Sequence, residues 1–141
     1  MKHYYVRKIL EKNQINEISN IIQDANQNNS WSDGLMTSGG KKEVKNNLEL
    51  HDTNSAQIIN NHIMQSLDND QQFLNFTIPT ITYLNIVSKT QSGGYYKPHK
   101  DHWSNGDYST TVFLNNPEDY GERKTQSYNS RYLPQKPHHH C

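Results

Sequence analysis

A histidine and an aspartate, one residue apart, are the side chains of this sequence best suited to chemistry. His99 and Asp101 end the run Gly-Gly-Tyr-Tyr-Lys-Pro-His-Lys-Asp, residues 93–101. On an extended backbone, side chains two positions apart point to the same face, so the imidazole and the carboxylate can converge on one ion. They would supply two of the three ligands of a 2-His-1-carboxylate site, which typically holds Fe(II) and leaves coordination positions open. The spacing therefore predicts a metal site at His99 and Asp101.

A second interpretation adds His102 to the same pair. Zn²⁺ accepts His and carboxylate ligands and keeps one position open in hydrolases, so His99, Asp101 and His102 would suit a metal-dependent hydrolase. His102 directly follows Asp101, however, and on a strand it would face the opposite side. We therefore keep the hydrolase as an alternative and assign His102 and Trp103 to a loop over the mouth of the site. The pair alone also fits an exposed turn, where His and Asp are common.

Helices and strands on both sides must position these residues. Helical spacing of apolar residues predicts one amphipathic helix over Ile15–Ala25, capped by Asn13 or Asn16, and a second over 55–67. His62 lies on or beside the apolar stripe of the second helix, and we interpret it as a core histidine rather than a ligand. Alternation and β-branched or aromatic residues predict strands over 3–9, 81–87 and 108–114. Residues 73–76 would extend the second helical region, 89–94 would form a turn, and 44–50 are of uncertain type.

The composition excludes several classes of protein. The 141 residues are enough for one domain, and no linker or repeat divides them. Because 14 basic residues balance 14 acidic ones, no basic stripe predicts a nucleic-acid partner. No apolar run approaches the length of a membrane span, no secretory segment follows Met1, and the single Cys141 excludes an internal disulfide. We therefore expect a soluble cytoplasmic protein of unknown oligomeric state.

Several ordered motifs surround the His-x-Asp pair. They are Gly-x-Tyr-x-x-His-x-Asp at 94–101, Asp-x-Ser-x-Thr-x-Phe-Leu at 107–114 and Asn-Pro-x-x-Tyr at 116–120. Upstream, Trp-x-Asp-Gly occupies 31–34 and Val-Lys-Asn-Asn-x-x-Leu occupies 44–50. This set resembles the Fe(II)/2-oxoglutarate-dependent dioxygenases, and more narrowly their PKHD-type, prolyl 4-hydroxylase-like branch. The resemblance covers roughly residues 1–120.

The resemblance implies both a fold and a reaction. The fold would be α+β, with N-terminal helices packed on a double-stranded β-helix, or jelly roll. The cofactor would be Fe(II), with 2-oxoglutarate and O2 as co-substrates and ascorbate as reductant, for hydroxylation of a peptidyl prolyl or similar C–H bond. By resemblance, His99 and Asp101 are the metal ligands and catalytic residues. Tyr95 or Tyr96 would line the pocket for 2-oxoglutarate or substrate.

The chain departs from the family pattern after Tyr120. The pattern continues there into a Gly-Gly-Glu-Leu strand, and later strands bring the distal His ligand and a basic anchor for 2-oxoglutarate. Here Gly121–Lys124 follows instead, and Leu133 is the only aliphatic residue of 121–141. We therefore expect an incomplete jelly roll, in which residues 1–120 form the N-terminal part of a dioxygenase domain and 121–141 a disordered tail.

A frameshift or gene truncation near Tyr120 would explain this change. The protein would then be either a dioxygenase inactivated by loss of the distal His and the anchor, or a non-catalytic remnant. The terminal run His138–His140 could supply a histidine. Ordering a flexible tail onto a defined site, however, costs about 1–2 kcal/mol per backbone residue fixed. The distal ligand is therefore left unidentified.

Overall fold

Three α-helices and five short strands form the regular structure of the described residues, which are 6–35, 40, 42–82, 86–99 and 106–115 of a computed structural model. Their contacts divide the chain into residues 9–114 and a second unit made of 1–8 and 115–141, and every element lies in the first unit. The α+β class predicted from the sequence is confirmed. In chain order the elements are α1 (Lys12–Gln27), β1 (Trp31–Asp33), β2 (Lys45–Asn46), β3 (Leu48–Leu50), α2 (Thr53–Asp68), α3 (Gln71–Thr77), β4 (Ser88–Lys89) and β5 (Tyr95–Tyr96).

The apolar stripes of α1 and α2 form the centre of the core. Both helices were predicted, and their spacing of three and four residues puts the apolar side chains on one face of each. Ile59 is 0% exposed and Ile18 is 1% exposed, so these two isoleucines are the most completely enclosed large side chains described. The buried cluster comprises Leu10, Ile18, Ala25, Leu50, Ile59, Ile63, Leu67, Phe73 and Val87.

The start of α1 differs from the prediction. The helix begins after Glu11, whose backbone N–H donates to Oε1 of Gln14 at 2.9 Å. A side chain three residues into the helix thus satisfies a backbone donor outside it, as in a capping box. The predicted caps, Asn13 and Asn16, were wrong because both lie inside the first turns of the helix.

Aspartates begin the other two helices. Asp52 caps α2 by accepting a hydrogen bond from the backbone N–H of residue 54 at 3.2 Å. Asp70 caps α3 by accepting from the N–H groups of residues 72 and 73 at 3.0 and 3.1 Å. Residues 73–76 therefore belong to a separate third helix and do not continue the second one. In the described ranges, no helix combines the length and the apolar character that crossing a membrane requires.

Two antiparallel sheets accompany the helices. The order of the first is β1-β3-β4, with Trp31 opposite Leu50 and Leu48 opposite Lys89. The second is a two-stranded ribbon of β2 and β5. The segment 44–50, whose type the sequence left uncertain, therefore contributes one strand to each sheet. The jelly-roll arrangement of the sheets stays a prediction.

The predicted strand over 108–114 was wrong. The structure gives these residues no strand, and none of the described strands pairs with them. Strand preference reflects packing on a pleated surface beside a partner, so β-branched residues alone do not make a strand. Val112 and Leu114 pack on the core cluster instead, and the ring of Tyr108 lies 5.5 Å from that of Phe76.

Two other predicted strands also fail in their described parts. Residues 6–9 of the first are irregular, as are 81–82 and 86–87 of the other. The remaining residues of both segments lie outside the described ranges. Val87 still accepts a hydrogen bond from the backbone N–H of Leu50 at 2.9 Å, next to the start of β4 at Ser88. Pairing with β3 therefore begins only at Val87, the last residue of the strand predicted over 81–87.

Candidate functional site

A tight turn brings the chain into β5. The backbone N–H of Gly94 donates to the carbonyl of Gln91 at 2.8 Å, and Gly93 has a φ of 81°. A Cβ on Gly94 would lie 2.8 Å from the carbonyl oxygen of Asn46, so this position has room only for glycine. The predicted turn is thus confirmed from residue 91 to residue 94, whereas Lys89 belongs to β4.

The ribbon aligns Tyr95 and Tyr96 with β2. Lys45 lies opposite Tyr96 and Asn46 opposite Tyr95. The backbone N–H of Lys97 then donates to the carbonyl of Val44 at 2.8 Å, which extends the pairing past β5 toward His99. The predicted site residues therefore leave the sheet at a fixed position.

The two tyrosines have different surroundings. Successive side chains of a strand point to opposite faces. The hydroxyl of Tyr95 donates to the carbonyl of Lys42 at 2.7 Å, and Nζ of Lys97 lies 5.7 Å from the Tyr95 ring centre. The ring of Tyr96 instead stacks on the imidazole of His99, with the ring centres 4.1 Å apart and the planes 15° from parallel. Of the two tyrosines, Tyr96 is therefore the one whose described contacts include a predicted metal ligand, His99.

The imidazole of His99 is held in one tautomer. Its Nδ1 lies 2.9 Å from the carbonyl oxygen of Lys97. Since a carbonyl can only accept, this contact requires a proton on Nδ1, and in the neutral imidazole Nε2 then has the lone pair. Metal-binding histidines commonly donate their second ring nitrogen in this way. The donor chemistry of His99 therefore fits a metal ligand.

The other predicted ligands lie outside the described residues. They are Asp101 and, in the hydrolase alternative, His102; Trp103 and the run His138–His140 also lie outside those residues. Within the part of the chain that the structure describes, no group of three or more His, Cys, Asp or Glu residues could hold a metal ion. The convergence of His99 and Asp101 accordingly stays a prediction.

A buried lysine, Lys45, lies against Tyr96, and no role for it was evident from the sequence. Lys45 is 2% exposed, and its ammonium group pairs with Oε1 of Glu49. Its Nζ lies 4.9 Å from the centre of the Tyr96 ring. In the sequence, Lys45 is marked only by its place in the Val-Lys-Asn-Asn motif. That motif does not reveal its contact with a residue of β5.

The two upstream motifs meet next to the ribbon. Gly34 donates its N–H to the carbonyl of Asn47 at 3.0 Å, and a Cβ on Gly34 would overlap the amide group of that side chain. A polar pocket of about 80 Å³ lies beside them, and neither tyrosine of β5 nor His99 lines it. Its lining residues are Asn46, Asn47, Leu48, Gln91, Ser92 and Gly94. The Trp-x-Asp-Gly and Val-Lys-Asn-Asn motifs thus contact each other directly.

His62 has a partner on the neighbouring helix. Its Nε2 lies 2.9 Å from Oε2 of Glu17, and its side chain is 20% exposed. The backbone carbonyl of His62 accepts from Nε2 of Gln14 at 3.3 Å, so this turn of α2 contacts α1 at two points. His62 was predicted as a core histidine, whereas the structure places it half-buried at the interface of α1 and α2, with a partner on the neighbouring helix.

Curated proteins with similar sequences bear one family name. A PKHD-type hydroxylase of Prochlorococcus marinus (strain MIT 9313) is 38% identical over 98 residues, covering 64% of this chain and 44% of the relative. One from Psychrobacter sp. (strain PRwf-1) is 27% identical over 129 residues, covering 83% and 49%. One from Aliarcobacter butzleri (strain RM4018) is 25% identical over 128 residues, covering 82% and 55%. Over most of its length, the chain is similar to PKHD-type hydroxylases.

The match to PKHD-type hydroxylases confirms the resemblance drawn from the motifs. The chain spans about half the length of these curated relatives. No protein-family model matches it, and no solved structure does. The PKHD-type assignment therefore comes from the curated relatives, and the activity of the whole protein is a matter for proposal.

Proposed function

We propose that this chain takes part in Fe(II)- and 2-oxoglutarate-dependent hydroxylation, with His99 and Asp101 as metal ligands. The observation that carries the proposal is the hydrogen bond between Nδ1 of His99 and the Lys97 carbonyl. It leaves the lone pair on Nε2, in the histidine that the PKHD-type motif marks as a ligand. The family relationship supports the choice of iron over zinc, and thus a dioxygenase over the hydrolase alternative.

The proposed reaction couples two oxidations. One atom of O2 enters the succinate formed when 2-oxoglutarate loses CO2, and the other becomes the hydroxyl group on the substrate carbon. Fe(II) would supply the centre at which O2 is activated, and ascorbate would keep the metal reduced. The substrate would be a peptidyl prolyl residue or a similar C–H bond, by analogy with the family.

The residues of this chain would bind and orient. His99 would present Nε2 while the Lys97 carbonyl fixes its tautomer. Asp101 would add a carboxylate, and Tyr96, stacked on His99, would form one wall of the site. The sheets would be part of a jelly roll. The distal His and the 2-oxoglutarate anchor remain unassigned, so a non-catalytic relative that binds metal weakly is the second candidate.

Succinate formation tests the proposal directly. The purified chain is incubated with Fe(II), 2-oxoglutarate, ascorbate and air, and succinate is measured in wild type, His99→Ala and Asp101→Ala. We expect both substitutions to abolish the succinate that wild type forms. His51→Ala, at an exposed histidine outside the site, is the matched control and keeps it.

Three other results would count against the proposal. Turnover that survives both substitutions would remove the site assignment. Absence of turnover in wild type, together with metal binding that depends on His99, would favour the non-catalytic relative. Metal-dependent ester or phosphoester cleavage without 2-oxoglutarate would favour the hydrolase.

A further inference from the structure

Lys45 is an unusual residue to find in the interior. Among the described residues, the buried polar or charged side chains are Lys45, Asn47 and Asp70. Asp70 caps a helix, whereas Lys45 lies in a two-residue strand of a small ribbon. A buried ion pair is often no more stable than apolar residues of similar volume. The pairing of Lys45 with Glu49 therefore does not by itself explain why a lysine occupies this position.

The ammonium group of Lys45 lies against an aromatic ring. Its Nζ is 4.9 Å from the Tyr96 ring centre, within the range over which a cation is attracted to a ring face. This attraction is stronger when the cation is shielded from water, as it is at Lys45. Lys45 and Tyr96 are also direct partners across the ribbon. The backbone and the side chain of Lys45 thus both restrain the Tyr96 ring.

The restrained ring in turn contacts His99. The two rings are 4.1 Å apart and within 15° of parallel, so the Tyr96 ring limits rotation of the imidazole. The hydrogen bond to Lys97 then selects which edge of the imidazole faces the backbone. His99 is exposed and lies outside any strand, so the ring stack and the hydrogen bond to Lys97 restrain an imidazole at the surface.

We propose that Lys45 and Tyr96 are positioning residues that hold the imidazole of His99 in the orientation and tautomer needed to bind a metal. The proposal rests on the proposed function and deepens it. Fixing the imidazole before the metal arrives reduces the rotamer entropy lost on binding. Tyr96 acts through the stacked ring, and Lys45 acts through Tyr96. From the sequence, Tyr95 and Tyr96 are equal candidates for lining the site, whereas this positioning role applies to Tyr96 alone.

NMR of the metal-free protein tests the positioning without requiring activity. Long-range ¹H–¹⁵N spectra at pH 8 report the tautomer of His99, and the shifts of its ring protons report the stacked tyrosine. Wild type should show the Nδ1–H tautomer and upfield ring protons. In Tyr96→Leu, the ring protons of His99 should lose their upfield shift and the imidazole should populate both tautomers. Tyr96→Phe should keep the upfield shift and the single tautomer. Tyr108→Leu, at an exposed tyrosine whose described ring contact is with Phe76, is the matched control.

A second set of variants tests Lys45. Lys45→Met is examined alone and together with Glu49→Leu, which avoids leaving an unpaired carboxylate if the single variant folds poorly. Both methionine variants should shift the NMR signals of His99 part of the way toward those of Tyr96→Leu. Lys45→Arg should give the wild-type signals, because arginine keeps a cation over the ring. Wild-type His99 signals in both methionine variants would overturn the role of Lys45.

Co(II) affinity, followed by absorbance, provides the second readout. Loss of supporting contacts around metal ligands typically weakens binding about tenfold to a hundredfold. We expect a loss in this range for Tyr96→Leu, a smaller loss for Lys45→Met/Glu49→Leu, and wild-type affinity for Tyr96→Phe and Tyr108→Leu. Unchanged affinity and unchanged His99 signals in Tyr96→Leu would overturn the inference even if the wild type forms succinate. A wild type that binds no Co(II) but shows the predicted NMR pattern would support the positioning and contradict the proposed function.

Discussion

The helix pair α1–α2 and the ribbon β2–β5 meet different physical demands. The helices are sixteen residues each and contribute the two most enclosed side chains described, Ile18 and Ile59. The ribbon has two residues per strand, and both residues of β5 are exposed. The predicted chemistry lies at the end of the ribbon, beside the tyrosines. A well-packed region thus supplies stability, while a thin and accessible one presents the reactive groups.

The two regions should therefore respond differently to substitution. In the helices, stabilisation is spread over apolar contacts that a single cavity weakens. In the ribbon, stabilisation depends on a few specific features: the glycine at position 94, the ion pair of Lys45 and Glu49, and the stacked rings of Tyr96 and His99. Core substitutions should lower the stability of the whole unit, whereas ribbon substitutions should also change the surroundings of His99.

The largest effect is expected at the centre of the helix pair. Ile59→Ala removes a side chain that is 0% exposed, and buried Ile→Ala changes destabilise by about 2–5 kcal/mol because they leave a cavity. Urea unfolding measures the loss. The control is Ile58→Ala on the same helix, where the side chain is 39% exposed and the loss should be much smaller. Equal losses at both positions would contradict the packing described for α2.

The buried ion pair should give the next largest effect. Lys45→Met leaves Glu49, which is 14% exposed, without its cation, and we expect a loss of about 2–3 kcal/mol in the free energy of unfolding. The double variant Lys45→Met/Glu49→Leu should recover most of it, because no charge is then left buried. A double variant as unstable as the single one would show that Lys45 stabilises by packing and not by pairing with Glu49.

Gly94→Ala should have a moderate effect concentrated in the ribbon. The added Cβ would approach the carbonyl oxygens of Asn46 and Gln91 to 2.8 and 3.0 Å, so the backbone must shift, at a cost of about 1–2 kcal/mol. Amide exchange of the Lys97 N–H, which pairs with Val44, should accelerate. The control is Gly40→Asn, where nothing lies within 4 Å of a Cβ and asparagine tolerates the φ of 77°. Unchanged exchange in Gly94→Ala would argue against the close approach of the two strands.

The sequence predicts the helices well because their signal is local. The isoleucine spacing indicated α1 and α2 to within a few residues of their observed ends. The cap at Glu11 was missed because common N-cap preferences favour Ser, Thr, Asp and Asn and do not include glutamate. The strand over 108–114 was wrong for the opposite reason, since a strand depends on a neighbour that residue preferences do not specify.

The residues of the candidate site also divide into those that a local motif indicates and those that only strand pairing reveals. His99 and Tyr96 were found because they lie together in one motif, and the spacing of that motif carries the chemistry. Lys45 was missed because its relation to Tyr96 exists only after β2 pairs with β5. Two-residue strands have no periodicity to detect, so the ribbon itself could not be predicted. Asp101 stays a prediction from the motif alone.

The smallest predicted effect concerns pH and lies at the start of α2. The hydroxyl of Ser55 donates to Oδ2 of Asp52 at 2.5 Å, and together with the backbone N–H of Asn54 it holds the pKa of Asp52 below its usual value. Because the folded pKa is the lower one, Asp52 stabilises the fold where it is ionised, above the unfolded pKa. That contribution is lost as the pH falls from about 4 through the folded pKa.

Ser55→Ala removes the largest cause of this pKa shift. Urea unfolding between pH 2.5 and 6 should therefore show a shallower loss of stability on the acid side than in wild type, while Ser19→Ala, an exposed serine within α1, should follow the wild-type curve. The effect should be small because the carboxylate is in contact with solvent, which screens its interactions. It should also leave the His99 signals unchanged, since the cap belongs to the helices and not to the ribbon. An acid-side slope equal to that of wild type would show that the Ser55 hydroxyl does not favour the ionised form of Asp52. A change in the His99 signals would instead show that the helix region and the ribbon are coupled, contrary to the division of roles drawn between them.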